Sequence, residues 1–264
     1  EHIKHENERY DQAFTESSQS PLNIPFGEDE IGRVVDKSKK HKAAGPDGLV
    51  YDVLKNETSK TLLTKLFNLC FTSHKVPDAW LEALLFPIPK SSTNDPRIPL
   101  NYRGISLLSV ISKLYTASLN SRLNKFAEEK NLLVNEQNGF RGNRSCLDHI
   151  FVLYDVLNIR NKLNGQTFCA FVDFKKAFDY VDRDFLLFKL RKLGIDGHFY
   201  NAIKALYSNS RSSIKINDKL TDGFDIKSGV RQGDSLSPTL FALFLNDLAT
   251  DIKVIDAGIL VGGI

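Results

Sequence analysis

The chain has 264 residues, 42% of them hydrophobic, which is enough apolar sequence for one large domain or two packed subdomains. Its net charge of +3 is too small to indicate a nucleic-acid partner by itself, and no apolar run is long enough to cross a bilayer. The three cysteines are far apart and odd in number, which excludes a paired disulfide framework and favours a reducing, intracellular setting.

The first 50 residues are mainly polar and contain a basic run and a turn. The chain opens without methionine or a signal peptide, and we interpret it as part of a longer reading frame. Residues 1–40 are polar with mixed charges and are predicted to form a flexible extension. The simplest interpretation of the basic run "KSKKHK", 37–42, is a solvated face. The glycines and proline of "AAGPDG", 43–48, indicate a turn.

Apolar spacing predicts the elements of the next hundred residues. Residues 61–71 and 106–126 place their apolar side chains at helical intervals. The segment "ALLFPIPK", 83–90, is predicted to be an extended edge segment, because its two prolines cannot donate to a sheet ladder. Ser145 and Asp148 have the spacing of a capping box, which predicts that a further helix starts there.

The segment "TFCAFVD", 167–173, is an apolar run that ends on an acid. A continuous apolar run of strand length predicts a strand buried on both faces. A carboxylate beside a core costs free energy to desolvate unless a positive group meets it, so Asp173 needs a partner. Two interpretations stay open from these residues alone. Asp173 caps the turn that follows, or it binds Mg²⁺, which prefers carboxylate and phosphate oxygens.

The remaining residues mix helices with a hairpin. Apolar spacing predicts helices over 185–193 and 199–207, and two alternating runs predict a hairpin within 213–229. Ser237 and Pro238 suit the cap and the first position of another helix. Because strands and helices follow one another without strict alternation, the predicted fold class is α+β.

Two glycine-containing segments have the composition of phosphate-binding sites. In "SGVRQGDSLSP", 228–238, Arg231 and Gln232 offer donors just before a helix whose first amides favour an anion. In "GFRGNRS", 139–145, Arg141 and Arg144 could clamp a phosphate backbone. Taken singly, each segment is also explained as an ordinary loop with solvated charges. The histidines show no ligand spacing, so no zinc site is predicted.

Six segments, taken in order, resemble the reverse transcriptase domain of non-LTR (LINE-type) retrotransposons. They are "KAAGPDGLVYDVL", "VPDAWLEALLFPIPK", "NYRGISLLSVISKLY", "NEQNGFRGNRSCLDHI", "AFVDFKKAFDYVDRDFLLFKL" and "GVRQGDSLSPTLFALFLNDL". One segment alone would be a weak signal, whereas six in the family's order are specific. Two positions depart from the family, since Gly104 stands where proline is usual and Cys146 where threonine is usual.

The resemblance implies a right-hand polymerase fold of the α+β class. The flexible residues 1–40 would precede a fingers-like region over 41–165 and a partial palm over 166–264. The family's Tyr-Ala-Asp-Asp hairpin is absent, because the chain stops at "AGILVGGI", which resembles the approach to that hairpin. The expected architecture is therefore fingers plus an incomplete palm, with the thumb and the second metal-binding carboxylates absent from this chain.

The resemblance also implies roles for individual residues. Asp173 matches the catalytic carboxylate that binds both Mg²⁺ ions, and the carbonyl of Phe174 is expected to help hold one ion. Phe178 matches the residue that crowds the sugar 2′ position and favours deoxynucleotides. The other matches are Lys90, Arg103, Arg231 and Gln232 for nucleotide binding, and Arg141 and Arg144 for contact with the template.

The implied function is that of an RNA-directed DNA polymerase with Mg²⁺ as cofactor. Two ions would stabilise the attacking 3′-hydroxyl and the leaving pyrophosphate. The expected partners are an RNA template, a DNA primer and deoxynucleoside triphosphates, with no membrane, in the nucleus and cytoplasm. Because Asp173 cannot hold two ions by itself, the 264-residue chain alone is expected not to extend a primer. The alternative is a non-catalytic nucleic-acid-binding or structural remnant, and the sequence predicts no oligomeric state.

Overall fold

A computed structural model describes residues 2–12, 20–40, 42–91, 95–216 and 219–255, apart from the side chains of residues 9, 11 and 12. Helices and strands are mixed in this part of the chain, as the α+β prediction requires. The helices are α1 His2–Gln12, α2 Glu28–Lys37, α3 Glu57–Ser73, α4 Asp78–Leu81, α5 Val110–Glu129, α6 Cys146–Lys162, α7 Arg183–Lys192, α8 Gly197–Tyr207 and α9 Ser237–Val254. The strands are β1 Glu82–Pro89, β2 Tyr102–Leu107, β3 Arg211–Ile216, β4 Lys219–Leu220 and β5 Phe224–Asp225.

A small mixed sheet has the strand order β2-β1-β3-β4, and β5 also pairs with β3. β1 is antiparallel to β2 over 84–89 and parallel to β3 over 82–85. The predicted edge segment is therefore an inner strand in its first half and open on one side in its second half. The N–H of Lys90 bonds toward β2 at 2.9 Å, so by alternation Pro87 and Pro89 face the open side, where their missing N–H groups break no ladder bond.

The predicted helices are confirmed, with shifts at their ends. α3 and α8 include the predicted ranges, whereas α7 ends at Lys192, one residue before the predicted end at 193. Gly194, at φ +79°, follows α7 in the left-handed conformation that glycine adopts without strain. α5 begins at Val110 rather than 106, because β2 extends to Leu107 and Ser109 caps the helix. The cap of α9 is Leu236, so the predicted cap Ser237 is its first helical residue. The hairpin of β3 and β4 is confirmed, and its turn residues 217–218 lie outside the described residues.

Residues 20–37, which include α2, pack into the core. The prediction of a flexible extension over 1–40 is therefore wrong for these residues. Leu22, Phe26, Ile31 and Val35 are all buried, and α2 packs against α3 and α5. These apolar residues recur every four or five positions, which forms one buried face although the residues between them are polar.

Arg122 on α5 ties this segment to the core. Its guanidinium binds Glu30 through two contacts of 2.7 Å and donates to three carbonyls of the turn at 22–25. The same group lies 4.1 Å from the centre of the Phe26 ring. Because Arg122 and Glu30 are 13% and 23% exposed, solvent screens this pair less than it screens a surface pair.

The predicted buried strand at 167–173 is wrong. Residues 167–174 have no regular secondary structure, and Phe168, Phe171 and Val172 are 90%, 85% and 79% exposed. A strand persists only where a neighbouring strand takes up its backbone hydrogen bonds, and no strand of the described residues pairs with this segment. The hydrophobic pattern correctly identified an apolar segment but could not supply its partner.

Helix α6 is apolar and exposed in the same way. The Asp148 carboxylate accepts a hydrogen bond of 2.6 Å from the N–H of Ser145, which confirms the capping contact that the sequence predicts. No residue of α6 is buried, and Phe151 is 69% exposed.

In the part of the chain that the structure describes, no helix combines the length and apolar character needed to cross a membrane. The terminal "AGILVGGI" lies outside the described residues.

Candidate active site

Asp173 ends the exposed segment and leads into a turn at 175–180. N–H groups of Asp179 and Tyr180 donate to the Lys176 carbonyl at 2.9 and 3.2 Å and hold this turn. The Asp173 side chain is exposed and makes no hydrogen bond or ion pair with any described residue. A cap accepts a bond from a backbone N–H two or three residues later, so the capping interpretation of Asp173 is wrong.

The loop 228–233 packs against this turn and brings two of the predicted motifs together. The N–H of Gly229 donates to Val181 O at 2.8 Å, and the N–H of Val230 donates to Phe178 O at 2.9 Å. Gly229 has φ +84°, and a Cβ there would lie 2.8 Å from Phe178 O. Only glycine allows both this backbone conformation and this approach, so the contact between turn and loop depends on it.

Gln232 lies on the open side of this loop and is held by an acid that sequence reasoning assigned no role. Its Nε2 donates to the Asp179 carboxylate at 2.7 Å, and both side chains are exposed. Ser228 hydroxyl also donates to the carbonyl of Asp179 at 3.2 Å. Asp179 therefore positions Gln232, but no local spacing links two residues so far apart in the chain.

Phe178, the predicted sugar gate, is half-buried beside the same loop. Its ring centre is 4.8 Å from that of Phe241 on α9 and 6.1 Å from that of Phe140. These two rings restrict the movement of Phe178, so its exposed edge has a defined position.

Arg231 points into the protein, unlike its neighbour Gln232. It is 8% exposed and donates to the carbonyl of Trp80 at 2.6 Å, and its Nη1 has no partner among the described residues. Burial, with a smaller contribution from the carboxylate of Asp234, raises the pKa of Tyr207 in the same region to about 12. The predicted contact of Arg231 with a nucleotide stays a prediction.

Arg183, at the start of α7, holds the other side of the loop and was also missed in the sequence. It donates to the carbonyls of Gly229, Tyr207 and Ile226 at 2.9, 2.9 and 2.7 Å. Burial lowers the pKa of its guanidinium. In the sequence, an arginine in the first turn of a helix is indistinguishable from a solvated surface charge.

The basic residues of the first half lie where β1 ends and within β2. Arg103 is exposed on β2, and Nζ of Lys90 donates to a nearby backbone carbonyl at 2.8 Å. Gly233 has φ +93°, and a Cβ there would lie 2.8 Å from Ser106 O. The loop 228–233 therefore touches β2 on one side and the turn that carries Phe178 on the other.

The two predicted template contacts differ in how freely they could bind. Arg141 is 9% exposed and binds Glu128 at 2.8 and 2.7 Å, and it also donates to Val134 O at 2.9 Å. This hydrogen-bonded pair lowers the pKa of Glu128. Arg144 is exposed and has one long contact of 3.5 Å with Asn135. Contact with a template stays a prediction for both arginines.

The described residues contain no group of three or more His, Cys, Asp or Glu that could hold a metal ion. An exposed carboxylate without a partner, as at Asp173, fits Mg²⁺, which usually keeps several waters and takes the rest of its ligands from one or two carboxylates and substrate phosphates. A second ion would need further carboxylates. The structure therefore fits one side-chain ligand of the predicted centre.

Comparison with known proteins places these motifs in a family context. The sequence profile described as "Reverse transcriptase (RNA-dependent DNA polymerase)" matches residues 88–260. The "Probable RNA-directed DNA polymerase from transposon BS" of Drosophila melanogaster is 27% identical to this chain over 250 positions, which cover 91% of this chain and 27% of that protein. The Pol polyprotein of the R2 element of Popillia japonica is 29% identical over 231 positions, 87% of this chain and 31% of that protein.

A mobile-element polymerase and a solved structure are also similar to this chain. The "RNA-directed DNA polymerase from mobile element jockey" of Drosophila melanogaster is 26% identical over 235 positions, 86% of this chain and 25% of that protein. The chain thus spans about a quarter to a third of the length of these relatives. Among solved structures, a chain of the "Partial Cas6-RT-Cas1--Cas2 complex" has a TM-score of 0.41 at 17% identity, over 88% of this chain and 34% of that one.

Proposed function

Because the chain belongs to the reverse transcriptase (RNA-dependent DNA polymerase) family, we propose that it forms the fingers and part of the palm of a retrotransposon polymerase that copies RNA into DNA. The family predicted from the six motifs is confirmed, and the relatives are polymerases and Pol proteins of non-LTR elements. In this proposal the fingers-like region is 41–165 and the palm begins at 166. The polymerase acts in the nucleus and cytoplasm.

One arrangement carries the proposal, namely the loop 228–233 between β2 and the turn that carries Phe178. Gln232 is exposed on this loop and held by Asp179 at 2.7 Å. Arg103 on β2 is exposed, and so is Asp173 five positions before Phe178. Phosphoryl transfer needs cations that neutralise the triphosphate and carboxylates that hold metal ions, and these residue types flank the loop.

In the proposed site, Asp173 and the carbonyl of Phe174 would hold Mg²⁺, which would supply positive charge for the developing negative charge of phosphoryl transfer. Lys90 and Arg103 bind the triphosphate and orient it for in-line attack by the primer 3′-hydroxyl. Gln232 lies over the incoming nucleotide. These groups position the reactants and neutralise charge, which is most of what a polymerase contributes to this reaction.

The nucleic-acid partners are proposed to be an RNA template and a DNA primer. Arg144 is exposed and free to contact a template phosphate, whereas Arg141 supports the same segment through its contact with Glu128. Arg231 contributes from inside the protein, because its bond to the carbonyl of Trp80 anchors the loop that carries Gln232.

Primer extension tests the proposed function directly. The protein translated from the complete reading frame is expected to extend a DNA primer annealed to RNA when the four deoxynucleotides and Mg²⁺ are present. Chelation of the metal should stop the reaction, and omission of the template should leave only background incorporation. If no RNA-templated incorporation occurs with any divalent ion, the polymerase proposal fails and a non-catalytic remnant explains the chain.

The substitution Phe178→Val is expected to reduce discrimination against ribonucleotides by about 10-fold or more, because loss of the ring opens space at the sugar 2′ position. The measurement is the ratio of kcat/KM for a deoxynucleotide to that for its ribonucleotide. Phe188→Val on α7 is the matched control and should leave the ratio unchanged. Equal ratios for Phe178→Val and the unsubstituted protein would remove Phe178 from its role as sugar gate.

A further inference from the structure

A groove between α2 and α5 has not been used by the proposed site. Its cavity volume is about 1200 Å³. Its lining includes apolar or small side chains at the end of β2 and on α5, namely Leu107, Leu114 and Ala117. Small-molecule pockets usually measure about 300–1,000 Å³, so this groove is large enough for a segment of a polymer. Besides Arg122, which is paired with Glu30, the basic residues that line it are Arg33, Lys37, Lys39, Lys42, Lys113 and Lys125.

The acids that line the groove are already engaged within the described residues. Glu30 is held by Arg122 at 2.7 Å, in the largely buried pair that ties α5 to the N-terminal segment. Glu129 lies 3.8 Å from Lys125, one turn earlier on α5. These two acids therefore leave most of the positive charge of the groove uncompensated.

The acid next to the basic run is also engaged. The carboxylate of Asp36 binds Nζ of Lys60 at 3.1 Å, on the other side of the end of α2. Within the part of the chain that the structure describes, no ion pair involves Lys37, Lys39, Lys42 or Lys113. Four cations thus face one groove without a counter-charge from the described residues, which favours an anionic ligand.

The basic run 37–42 is anchored at both ends. Nζ of Lys55 donates to two carbonyls at the end of α2, at 3.0 and 2.7 Å. At the other end, a Cβ on Gly45 would clash with Leu108 O, so the turn after the run sits directly against the start of α5. Lys37, Lys39 and Lys42 are therefore held beside the groove, a position that the interpretation as a solvated face did not anticipate.

The inner end of the groove meets the proposed active site. Leu107 is the last residue of β2, the strand that carries Arg103, and Ser235 follows the loop that carries Gln232. A chain lying in the groove would therefore pass the nucleotide-binding loop. Both residues line the same cavity as Lys37 and Lys113.

We propose that this groove binds a single-stranded polynucleotide, with its phosphates on Lys37, Lys39, Lys42 and Lys113 and its bases toward the apolar floor. This inference rests on the proposed polymerase function and adds a strand-binding site next to it. Single-strand sites combine a positive groove that tracks the backbone with aromatic side chains on which bases stack, and Tyr51 also lines this groove. RNA and DNA strands have this chemistry in common, and the test separates them.

The experiment measures the salt dependence of binding to the 264-residue chain. Fluorescently labelled RNA and DNA single strands of about 12 nucleotides, within the roughly 4–16 that such sites cover, are the probes. Log of the binding constant falls as log of the salt concentration rises. Substitution of Lys37, Lys39 and Lys42 by glutamine is expected to make this slope shallower by about 2, because each lost phosphate contact on a single strand removes roughly 0.7. Lys113→Gln should remove a further 0.7 or so.

Glutamine at Lys4, Lys65 and Lys75 is the matched control, since these lysines are exposed and lie outside the groove. It removes the same charge and should leave the slope unchanged. An equal decrease in salt dependence in both triple variants would overturn the proposal. Equally strong competition by polyglutamate would also overturn it, because that result would indicate an acidic polypeptide as the ligand. Tighter binding of RNA than of DNA would identify the groove with the template strand, and the reverse would identify it with the primer strand.

The binding and extension assays separate failure of the groove proposal from failure of the polymerase proposal. If the groove variants bind like the unsubstituted chain while the complete protein still extends primers, the groove has no such role and the polymerase assignment stands. If the groove variants lose binding and the control variant does not, the groove is supported whatever the extension assay gives. Melting temperatures of the two triple variants should agree, because all the changed side chains are exposed.

Discussion

Asp173→Asn is expected to reduce RNA-templated primer extension by at least about 10³-fold in the protein translated from the complete reading frame. The substitution keeps the shape of the side chain but removes the negative charge that would hold Mg²⁺. A factor of 10³ corresponds to about 4 kcal/mol of transition-state stabilisation, which is reasonable for loss of a metal ligand. The measurement is the initial rate of deoxynucleotide incorporation at saturating primer–template.

The same substitution should leave the folded state unchanged. Asp173 is exposed and has no hydrogen bond or ion pair with any described residue, so its replacement breaks no contact. The melting temperatures of the variant and the unsubstituted protein are expected to agree. This combination of lost activity and retained stability separates a functional carboxylate from a structural one.

Asp155→Asn is the matched control, because Asp155 is an exposed acid on α6 and belongs to none of the matched motifs. It should retain full activity. Full activity of Asp173→Asn would exclude Asp173 as the catalytic carboxylate. Equal loss in both variants would indicate a general effect of negative charge rather than a metal site.

Arg183→Met is expected to lower the free energy of unfolding by about 3 kcal/mol and to raise KM for deoxynucleotides. The guanidinium donates to three carbonyls, and methionine would leave them without this donor, at roughly 1–3 kcal/mol for each carbonyl that water cannot reach. One of these is the carbonyl of Gly229, at the base of the loop that carries Gln232. Urea unfolding gives the stability change, and steady-state kinetics give KM.

Two further arginine variants make this prediction specific. Arg183→Lys keeps the charge but cannot direct several N–H groups in one plane, so it should recover only part of the stability. Arg97→Met is the control, because Arg97 is 88% exposed in a surface pair with Asp95, and its loss should change stability by no more than about 0.5 kcal/mol. If Arg183→Met unfolds at the same urea concentration as the unsubstituted protein, Arg183 does not anchor the loop.

Local patterns predicted much of this fold because helices depend on nearby residues. Apolar spacing identified α3, α5, α7 and α8, the pair Ser145 and Asp148 marked the start of α6, and Ser237 and Pro238 marked the start of α9. The hydrogen bonds and capping contacts of a helix connect positions three or four apart, so a single sequence contains them. The order of six motifs likewise identified the family, which the match over 88–260 confirms.

Predictions that required a distant partner were less reliable. The apolar run 167–173 has the composition of a strand, but a strand needs a neighbour, and in the described residues none pairs with it. β1 was predicted as an edge because of its prolines, yet its first half pairs with both β2 and β3. Residues 20–37 looked like a polar extension, although Leu22, Phe26, Ile31 and Val35 are buried in the core.

The sequence by itself determined the family, most of the longer helices and the residue types of the candidate site. Only the tertiary structure decided which of those residues meet, because contacts such as Asp179 with Gln232, or Arg183 with the carbonyl of Gly229, join positions that no local spacing connects. It also decided which cations are already paired, as Arg141 is with Glu128, and which remain available, as Lys37 is beside the groove. Hydrogen bonds and ion pairs act over a few ångströms in space, and folding rather than sequence order sets those distances.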